Sequence, residues 1–270
     1  MTIENGFIIL RDAFPDMSRL TENFVQAYRA CSHEGPLVEG VGNKFLTRPQ
    51  VPGSYWSTLD HSLPALRIIL HEDVVELGRQ LLSKSDIYLR NGGVNEMPPG
   101  RTVKWHRDSI SHFHAGEDGW SEFMHYPHSD GRGTNPARGC LRIIPGSHTW
   151  DQQQEDAFVA DLEHRRLADG LPPTYKELAA LPDALEPTMP GEISISLGPA
   201  DLLVRRSSIY HSTHANSTGD GRLMQHWLFR AADHTPNNHR FRWEDYLQVC
   251  KITFPFPQTA PSGRYPESRT

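Results

Sequence analysis

Lys104-Trp105-His106-Arg107-Asp108 is the stretch around which the rest of this sequence is organised. The stretch is predicted to be a strand, and successive side chains of a strand point to opposite faces, so His106 and Asp108 share one face. An imidazole nitrogen and a carboxylate oxygen on one face can form two corners of the three-ligand facial site that holds non-haem Fe(II). A hydrogen bond between the two side chains is the ordinary alternative. The metal interpretation therefore requires a third ligand elsewhere in the chain.

Composition narrows the classes of partner. The chain has 270 residues and a formal charge of −6, without a basic run that would favour nucleic acid or an apolar run long enough to cross a membrane. Three cysteines, widely spaced and without C-x-x-C, argue against a disulfide framework and a thiolate site. The first ten residues lack the pattern of a secretion signal. We expect a cytoplasmic protein with a small-molecule partner, and the sequence does not indicate its oligomeric state.

Two amphipathic helices are predicted ahead of the strands. Apolar residues recur at helical spacing after Asp16, which can serve as the N-cap. They are Leu20, Phe24, Ala27, Tyr28 and Cys31. A second helix is predicted at about residues 72–83. Together these segments predict a helical layer over about residues 1–85.

From residue 86 the pattern changes to short β-prone runs separated by turn residues, which predicts a sandwich or barrel. The predicted strands are 86–91, 102–107, 121–126, 140–144, 192–197, 201–205, 207–211 and 222–230. Ile193, Ile195 and Leu197 alternate with polar residues, as in a strand with one wet face. We therefore expect one mainly β domain with flanking helices and a core at about 86–230. The domain is also expected to contain a partly helical insertion at 149–190, in which Thr174-x-x-Glu177 is a capping box. It is expected to end with an extension at 231–270.

A late segment of the chain can complete the site. His211-Ser212-Thr213-His214-Ala215-Asn216-Ser217 precedes Arg222, which begins the next apolar strand. Either His211 or His214 can be the third ligand if its strand faces the His106 strand. An arginine on the neighbouring strand can bind a carboxylate through two parallel hydrogen bonds.

The sequence resembles the phytanoyl-CoA dioxygenase-like family of Fe(II)/2-oxoglutarate oxygenases. The resemblance lies in the Trp-His-Arg-Asp stretch at 105–108, the Gly-Cys-Leu-Arg-Ile-Ile-Pro-Gly-Ser-His stretch at 139–148, and the segment 201–222, in the family's order and approximate spacing. It implies a double-stranded β-helix, or jelly roll, with iron at one open end. The segment 121–130 departs from the family pattern, because polar residues replace much of an apolar strand.

Carried over to the matching positions, the resemblance implies that His106, Asp108 and His211 are the iron ligands. The family spacings to Asn216 and Arg222 select His211 over His214, for which a hydrogen-bonding or surface role is expected. Arg222 is implied to bind the distal carboxylate of 2-oxoglutarate, with help from Thr213.

The implied cofactors are Fe(II), 2-oxoglutarate and O2, with ascorbate stimulating the reaction in vitro. The implied reaction is a hydroxylation, or a related desaturation or cyclisation, with release of succinate and CO2. Retention of Asp108 favours hydroxylation over halogenation, since halogenating relatives carry a small residue there. One alternative is a cupin-like metal-dependent isomerase or hydrolase that does not use 2-oxoglutarate. A second is a binding protein that has lost activity.

Specificity is expected to reside at the open end of the barrel. The segment 109–120 and the insertion at 149–190 are predicted to act as lids. His112, His125 and Arg206 are the candidate substrate residues. Arg205 and Arg206 are expected to be solvated charges at the end of a strand. Together with the polar residues of 121–128, they predict a small polar substrate.

Overall fold

The computed structural model describes residues 4–31, 55–57, 63–97, 99–108, 121–127, 132–181 and 183–231. The strands are β1 (Phe7–Leu10), β2 (Tyr55–Ser57), β3 (Ile87–Met97), β4 (Ser121–His125), β5 (Leu141–Ile143), β6 (Ile193–Ile195), β7 (Leu202–Arg206), β8 (His211–Thr213) and β9 (Arg222–Ala231). The α-helices are α1 (Met17–Cys31), α2 (Leu63–Ile69), α3 (Glu72–Leu82), α4 (Gln152–Ala168) and α5 (Tyr175–Ala179). None of the helices in these ranges is long and apolar enough to span a bilayer.

The strands form two antiparallel sheets. The larger sheet has the order β1-β7-β4-β9-β3-β2, and the smaller sheet has the order β6-β5-β8. Strands distant in sequence are neighbours in both sheets, as jelly-roll connections require. The predicted mainly β fold with flanking helices is therefore confirmed.

Alternation along the strands of the larger sheet separates two apolar layers. Phe123 and Val204 face outward and pack with the helices α1, α2 and α3, whose buried residues include Phe24 and Leu77. The inward-facing residues of the larger sheet meet those of the smaller sheet. They include Met124, Tyr126 and Leu203 on one side and Leu141, Ile143, Ile195 and Leu197 on the other. The interior between the two sheets is thus lined by every second residue of each strand.

The insertion at 149–190 packs against the segment that carries His106. Phe158 and Leu162 of α4 form a third apolar cluster with Trp105, Ile144 and Tyr210. The helix α4 begins with a capping box between Asp151 and Gln154 that the sequence analysis missed. Thr174 caps α5, as predicted, by accepting a hydrogen bond from the backbone N–H of Glu177.

Three strand predictions need correction. Residues 102–107 form no regular strand, although they lie beside β8 and are joined to it by an isolated bridge between His106 and His211 and by a hydrogen bond from the amide of Thr213 to the carbonyl oxygen of Val103. The predicted strand at 207–211 begins as a turn, and the strand itself starts at its last residue. Ile193 is exposed although Ile195 is buried, because β6 lies at the edge of the smaller sheet.

Candidate metal centre

His106, Asp108 and His211 come together at one end of the space between the sheets. One candidate ligand atom from each residue lies within 4.8 Å of the other two. The Nε2 atom of His106 is 3.0 Å from Oδ1 of Asp108, and the Nε2 atom of His211 is 3.7 Å from Oδ2. The two imidazole rings have centroids 4.2 Å apart. Two imidazole nitrogens and one carboxylate thus converge on one point, which is the donor set of a facial iron site.

Backbone hydrogen bonds bring these residues together. The amides of His106 and His211 each donate to the carbonyl oxygen of the other over 3.0 Å. The amide of Asp108 donates to the carbonyl oxygen of Ser207 over 3.1 Å. The segment after residue 102 therefore runs antiparallel beside β8 without forming a regular strand, and this pairing places residues separated by about a hundred positions side by side.

Both histidines present the same ring nitrogen to the cluster. Nδ1 of His106 lies 2.7 Å from the carbonyl oxygen of Lys104, and Nδ1 of His211 lies 3.1 Å from that of Ile209. A carbonyl oxygen accepts, so each Nδ1 carries a proton, and Nε2 is the ring nitrogen that faces the other ligand residues. Such outer hydrogen bonds fix ring orientation in metal sites. The two imidazoles are therefore oriented to donate Nε2 to a metal.

The protonation states also favour metal binding. Burial opposes ionisation of Asp108, but the neighbouring Arg205 guanidinium, with His211 and His106, holds the pKa of this carboxyl well below its ordinary value. Burial, with the positive charge of Arg205, lowers the pKa of His211 well below its ordinary value. Asp108 is therefore ionised and His211 neutral at neutral pH, as metal ligation requires.

Arg222 lies deeper between the sheets, at the start of β9. Its side chain is 1 % exposed and donates to the carbonyl oxygen of Gly139. Its guanidinium carbon lies 5.6 Å from the ring centroid of Tyr126. Nε of Arg222 has no hydrogen-bond partner, and no carboxylate among the described residues pairs with it. A buried cation without a counterion is costly and is compatible with a site for an anion.

Thr213 shares a strand face with His211 because the two lie two positions apart in β8. Its hydroxyl oxygen accepts a hydrogen bond from the amide of Val103 over 2.7 Å. The hydroxyl hydrogen of Thr213 is therefore available to a second acceptor. His214 lies outside the metal cluster, with its Nε2 at 2.7 Å from the hydroxyl of Ser194.

The environment of two charged residues was misjudged in the sequence. Arg205 was expected to be solvated, but it is 1 % exposed and paired with both Asp108 and Glu122. Glu122 was counted among the polar residues of a wet strand, but it is buried and its Oε1 lies 2.8 Å from Nδ1 of His226.

The two predicted substrate residues that the structure describes, His125 and Arg206, face away from the site. His125 is fully buried on the opposite face of β4, where its Nε2 meets the carbonyl oxygen of Pro199 and the hydroxyl of Thr21. That placement removes it from the substrate candidates. Arg206 is the residue after Arg205 and so points to the other face of β7. His112 and the predicted lid at 109–120 lie outside the described residues.

Tyr175 was not predicted from the sequence. Tyr175 is the first residue of α5 and is 49 % exposed. The centroid of its ring lies 5.9 Å from the centroid of the His106 ring. The insertion therefore places an aromatic side chain at the edge of the group formed by His106, Asp108 and His211. No sequence pattern pointed to Tyr175, because the contact depends on how the insertion folds back.

Comparison with known proteins identifies a family. The family model for phytanoyl-CoA dioxygenase (PhyH) matches residues 3–224. No curated protein sequence matches the chain significantly.

Three solved structures illustrate the similarity of fold. EctD from S. alaskensis in its apo form is 18% identical, with a TM-score of 0.59 over 87% of this chain and 76% of that one. The carbocyclase SnoK from nogalamycin biosynthesis, a non-heme α-ketoglutarate-dependent enzyme, is 15% identical, with a TM-score of 0.57 over 91% of this chain and 87% of that one. HygX from Streptomyces hygroscopicus, with nickel and 2-oxoglutarate bound, is 15% identical, with a TM-score of 0.56 over 85% of this chain and 84% of that one. At these identities the likeness establishes the jelly-roll fold.

Proposed function

The chain belongs to the phytanoyl-CoA dioxygenase family, and we propose that it hydroxylates a small polar metabolite with release of succinate and CO2. The proposal is supported by the solved structures of similar fold, which include 2-oxoglutarate-dependent enzymes. We propose that the enzyme is a single domain and acts in the cytoplasm.

The observation that carries the proposal is the convergence of His106, Asp108 and His211. Two imidazoles with Nε2 directed at one point and an ionised carboxylate fit Fe(II), which prefers this set of nitrogen and oxygen donors. Asp108 and His106 are partly exposed, so the cluster is open on one side. An open side is needed because three of six coordination positions remain for other ligands. We assign these residues as the iron ligands.

The buried Arg222 supports 2-oxoglutarate as the co-substrate. Its free Nε and uncompensated charge fit a terminal carboxylate, which can accept two parallel hydrogen bonds from a guanidinium. Thr213 can donate its hydroxyl hydrogen to the same carboxylate. The EctD structure with 2-oxoglutarate and 5-hydroxyectoine and the one with bound Fe are of the same fold. We therefore assign Arg222 and Thr213 to the distal carboxylate of 2-oxoglutarate.

When bound, iron and 2-oxoglutarate would couple reduction of O2 to oxidation of the substrate. The residues of the chain hold and orient the reactants. His106 and His211 keep fixed rings through their Nδ1 hydrogen bonds, and Arg222 sets the orientation of the co-substrate. Ascorbate is proposed to sustain turnover in vitro by keeping iron reduced.

Hydroxylation is proposed as the reaction because Asp108 occupies the carboxylate position. The family resemblance associates halogenation with a small residue at that position. Similar folds also carry the epimerase SnoN and the carbocyclase SnoK, so desaturation or cyclisation is the alternative outcome. Glu122, His125 and Arg205, which suggested a polar substrate from sequence, are buried and paired. That part of the proposal now relies on Tyr175 and Asp108 at the opening and on the small polar molecule in the EctD structure.

The decisive experiment measures succinate formation from 2-oxoglutarate by purified protein with Fe(II), O2 and ascorbate. Small polar metabolites are then screened for those that raise succinate formation and gain one oxygen atom by mass spectrometry. His211→Ala is the inactive control, and His214→Ala is the matched histidine control outside the cluster. Turnover of a substrate without 2-oxoglutarate would instead favour the isomerase or hydrolase alternative.

A further inference from the structure

The carboxylate of Asp108 is held from behind by an arginine. Oδ1 of Asp108 lies 3.0 Å from Nε2 of His106, on the side of the cluster. The other oxygen, Oδ2, accepts a hydrogen bond from a terminal nitrogen of Arg205. Arg205 lies 97 residues away in sequence, so the contact is a product of the fold and not of local chain geometry. One carboxylate oxygen thus lies beside His106, and the other, which is 3.7 Å from Nε2 of His211, is held by Arg205.

Arg205 is itself fixed on several sides. Its guanidinium contacts Glu122 as well as Asp108, and its Nε lies 3.2 Å from the sulfur of Met124. A second terminal nitrogen approaches the carbonyl oxygen of Arg206 at 3.4 Å. All three guanidinium nitrogens therefore have a contact, and the planar group cannot rotate without breaking one of them.

Glu122 in turn is held by the strand beyond it. Glu122 lies directly opposite Arg205 in the register of β4 and β7. Its second oxygen lies 2.8 Å from Nδ1 of His226 on β9. Asp108, Arg205, Glu122 and His226 thus form a continuous row that starts at the metal cluster and crosses three adjacent strands of the larger sheet.

We propose that Arg205 is a positioning residue for the metal site, which fixes the orientation of the Asp108 carboxylate by binding its Oδ2, and that Glu122 and His226 hold Arg205 in place. This inference rests on the proposed iron site. A carboxylate with one oxygen hydrogen-bonded to Arg205 would offer its other oxygen to a metal as a single donor. Buried ion pairs of this kind contribute little net stability, so a role in geometry explains the row better than a role in folding.

The first test compares Fe(II) binding, measured anaerobically by calorimetry without 2-oxoglutarate, in three proteins. Arg205→Met combined with Glu122→Gln removes the arginine without leaving an unpaired buried carboxylate at position 122. Glu122→Gln alone is the matched control, because it keeps the contact between Arg205 and Asp108. Outer hydrogen-bond partners of metal ligands typically change metal affinity by 10–100-fold, so we expect a loss of roughly that size in the double variant and a smaller change in the control. Circular dichroism checks that both variants are folded.

The second test separates positioning from a structural role. In Asp108→Ala, formate can occupy the space of the missing carboxylate and be held by Arg205. We expect formate to restore Fe(II) binding to Asp108→Ala but not to Asp108→Ala combined with Arg205→Met and Glu122→Gln. Equal Fe(II) affinity in the wild type and the double variant of the first test, or formate that acts on both or neither of the alanine proteins, would overturn the inference. Absence of Fe(II) binding by the wild type is a different result and would overturn the proposed function.

Discussion

Glu186 and Trp105 are joined by a hydrogen bond in which the backbone amide of Trp105 donates to Oε1 of Glu186 over 2.9 Å. The same carboxylate accepts two hydrogen bonds from Arg166 of α4, at 3.0 and 2.6 Å. The side chain of Glu186 has no exposed surface. Since Trp105 precedes His106, the insertion is anchored to the segment that carries the metal cluster.

Arg166→Met should therefore destabilise the protein strongly. It leaves the buried carboxylate of Glu186 without its charge partner, and breaking a buried pair in this way costs ~3–5 kcal/mol. The adjacent Arg165 provides a matched control, because its pair with Asp161 has both side chains 40% exposed. Arg165→Met should change stability by no more than ~1 kcal/mol. Urea unfolding of both variants measures the difference, and equal effects would show that the buried pair does not anchor the insertion.

Single alanine substitutions of His106, Asp108 and His211 should each reduce bound iron to near background. A site with two protein ligands holds Fe(II) poorly because the remaining donors no longer form a facial set. His214→Ala should retain iron, since its Nε2 lies against Ser194. Metal content after anaerobic loading with Fe(II) measures this. Iron lost from His214→Ala but kept by His211→Ala would reverse the assignment of the distal ligand.

Arg222→Met should weaken the binding of 2-oxoglutarate and leave the binding of iron unchanged. Loss of one partner of a buried charge pair costs ~3–5 kcal/mol, which is roughly two to three orders of magnitude in affinity. A ligand at 100 times its Kd stabilises a protein by ~2.7 kcal/mol, so 2-oxoglutarate should raise the Tm of the wild type but not of the variant. In the absence of 2-oxoglutarate the variant should be at least as stable, because the wild type buries a charge without a counterion. An equal response to 2-oxoglutarate in both proteins would argue against the assigned carboxylate site.

The sequence predicted the parts of the site that depend on local spacing. His106 and Asp108 were placed on one face because strand-like backbone alternates, and this local rule holds even though the segment forms no regular strand. The pairing with His211 needed the family resemblance, since no local pattern indicates which distant strands are neighbours.

Burial of polar residues was the part that could not be predicted. A charged residue in a strand is usually exposed, so Glu122 and Arg205 were expected to be solvated. Their burial depends on the register of β4 and β7, which places the two opposite each other. His125 was misjudged for the same reason, because its outward face is covered by α1 and not by solvent.

The burial of His125 should appear in the pH dependence of stability. Desolvation lowers the pKa of this histidine from 6.5 to about 4, although contacts with Pro199 and Gln225 oppose the shift. The unfolded chain binds a proton at His125 more readily than the folded chain does. The contribution of neutral His125 to the free energy of unfolding is therefore complete above pH 6.5 and is lost as the pH falls toward 4. At about 1.4 kcal/mol per pKa unit the loss approaches ~3 kcal/mol. Urea unfolding between these pH values should show a weaker pH dependence in His125→Gln than in the wild type.

The control for this comparison is His164→Gln, which removes a histidine from the exposed side of α4. It should follow the wild-type curve. If His125→Gln and the wild type lose stability equally as the pH falls, protonation of His125 does not limit stability in acid.

Tyr175 should affect use of the substrate without affecting the metal. Its ring lies beside His106 and half of the residue is exposed, so it stands where a substrate approaches the cluster, yet it offers no ligand to the cluster itself. Tyr175→Ala removes an aromatic contact, which is worth ~0.5–1.5 kcal/mol beyond its area, and should reduce substrate-stimulated succinate formation roughly tenfold. Fe(II) content and the slow formation of succinate without substrate should remain at the wild-type level. Tyr175→Phe separates the ring from the hydroxyl, and Leu181→Ala, also exposed but absent from the edge of the metal cluster, is the control. Loss of iron from Tyr175→Ala, or full substrate stimulation in that variant, would remove Tyr175 from the substrate site.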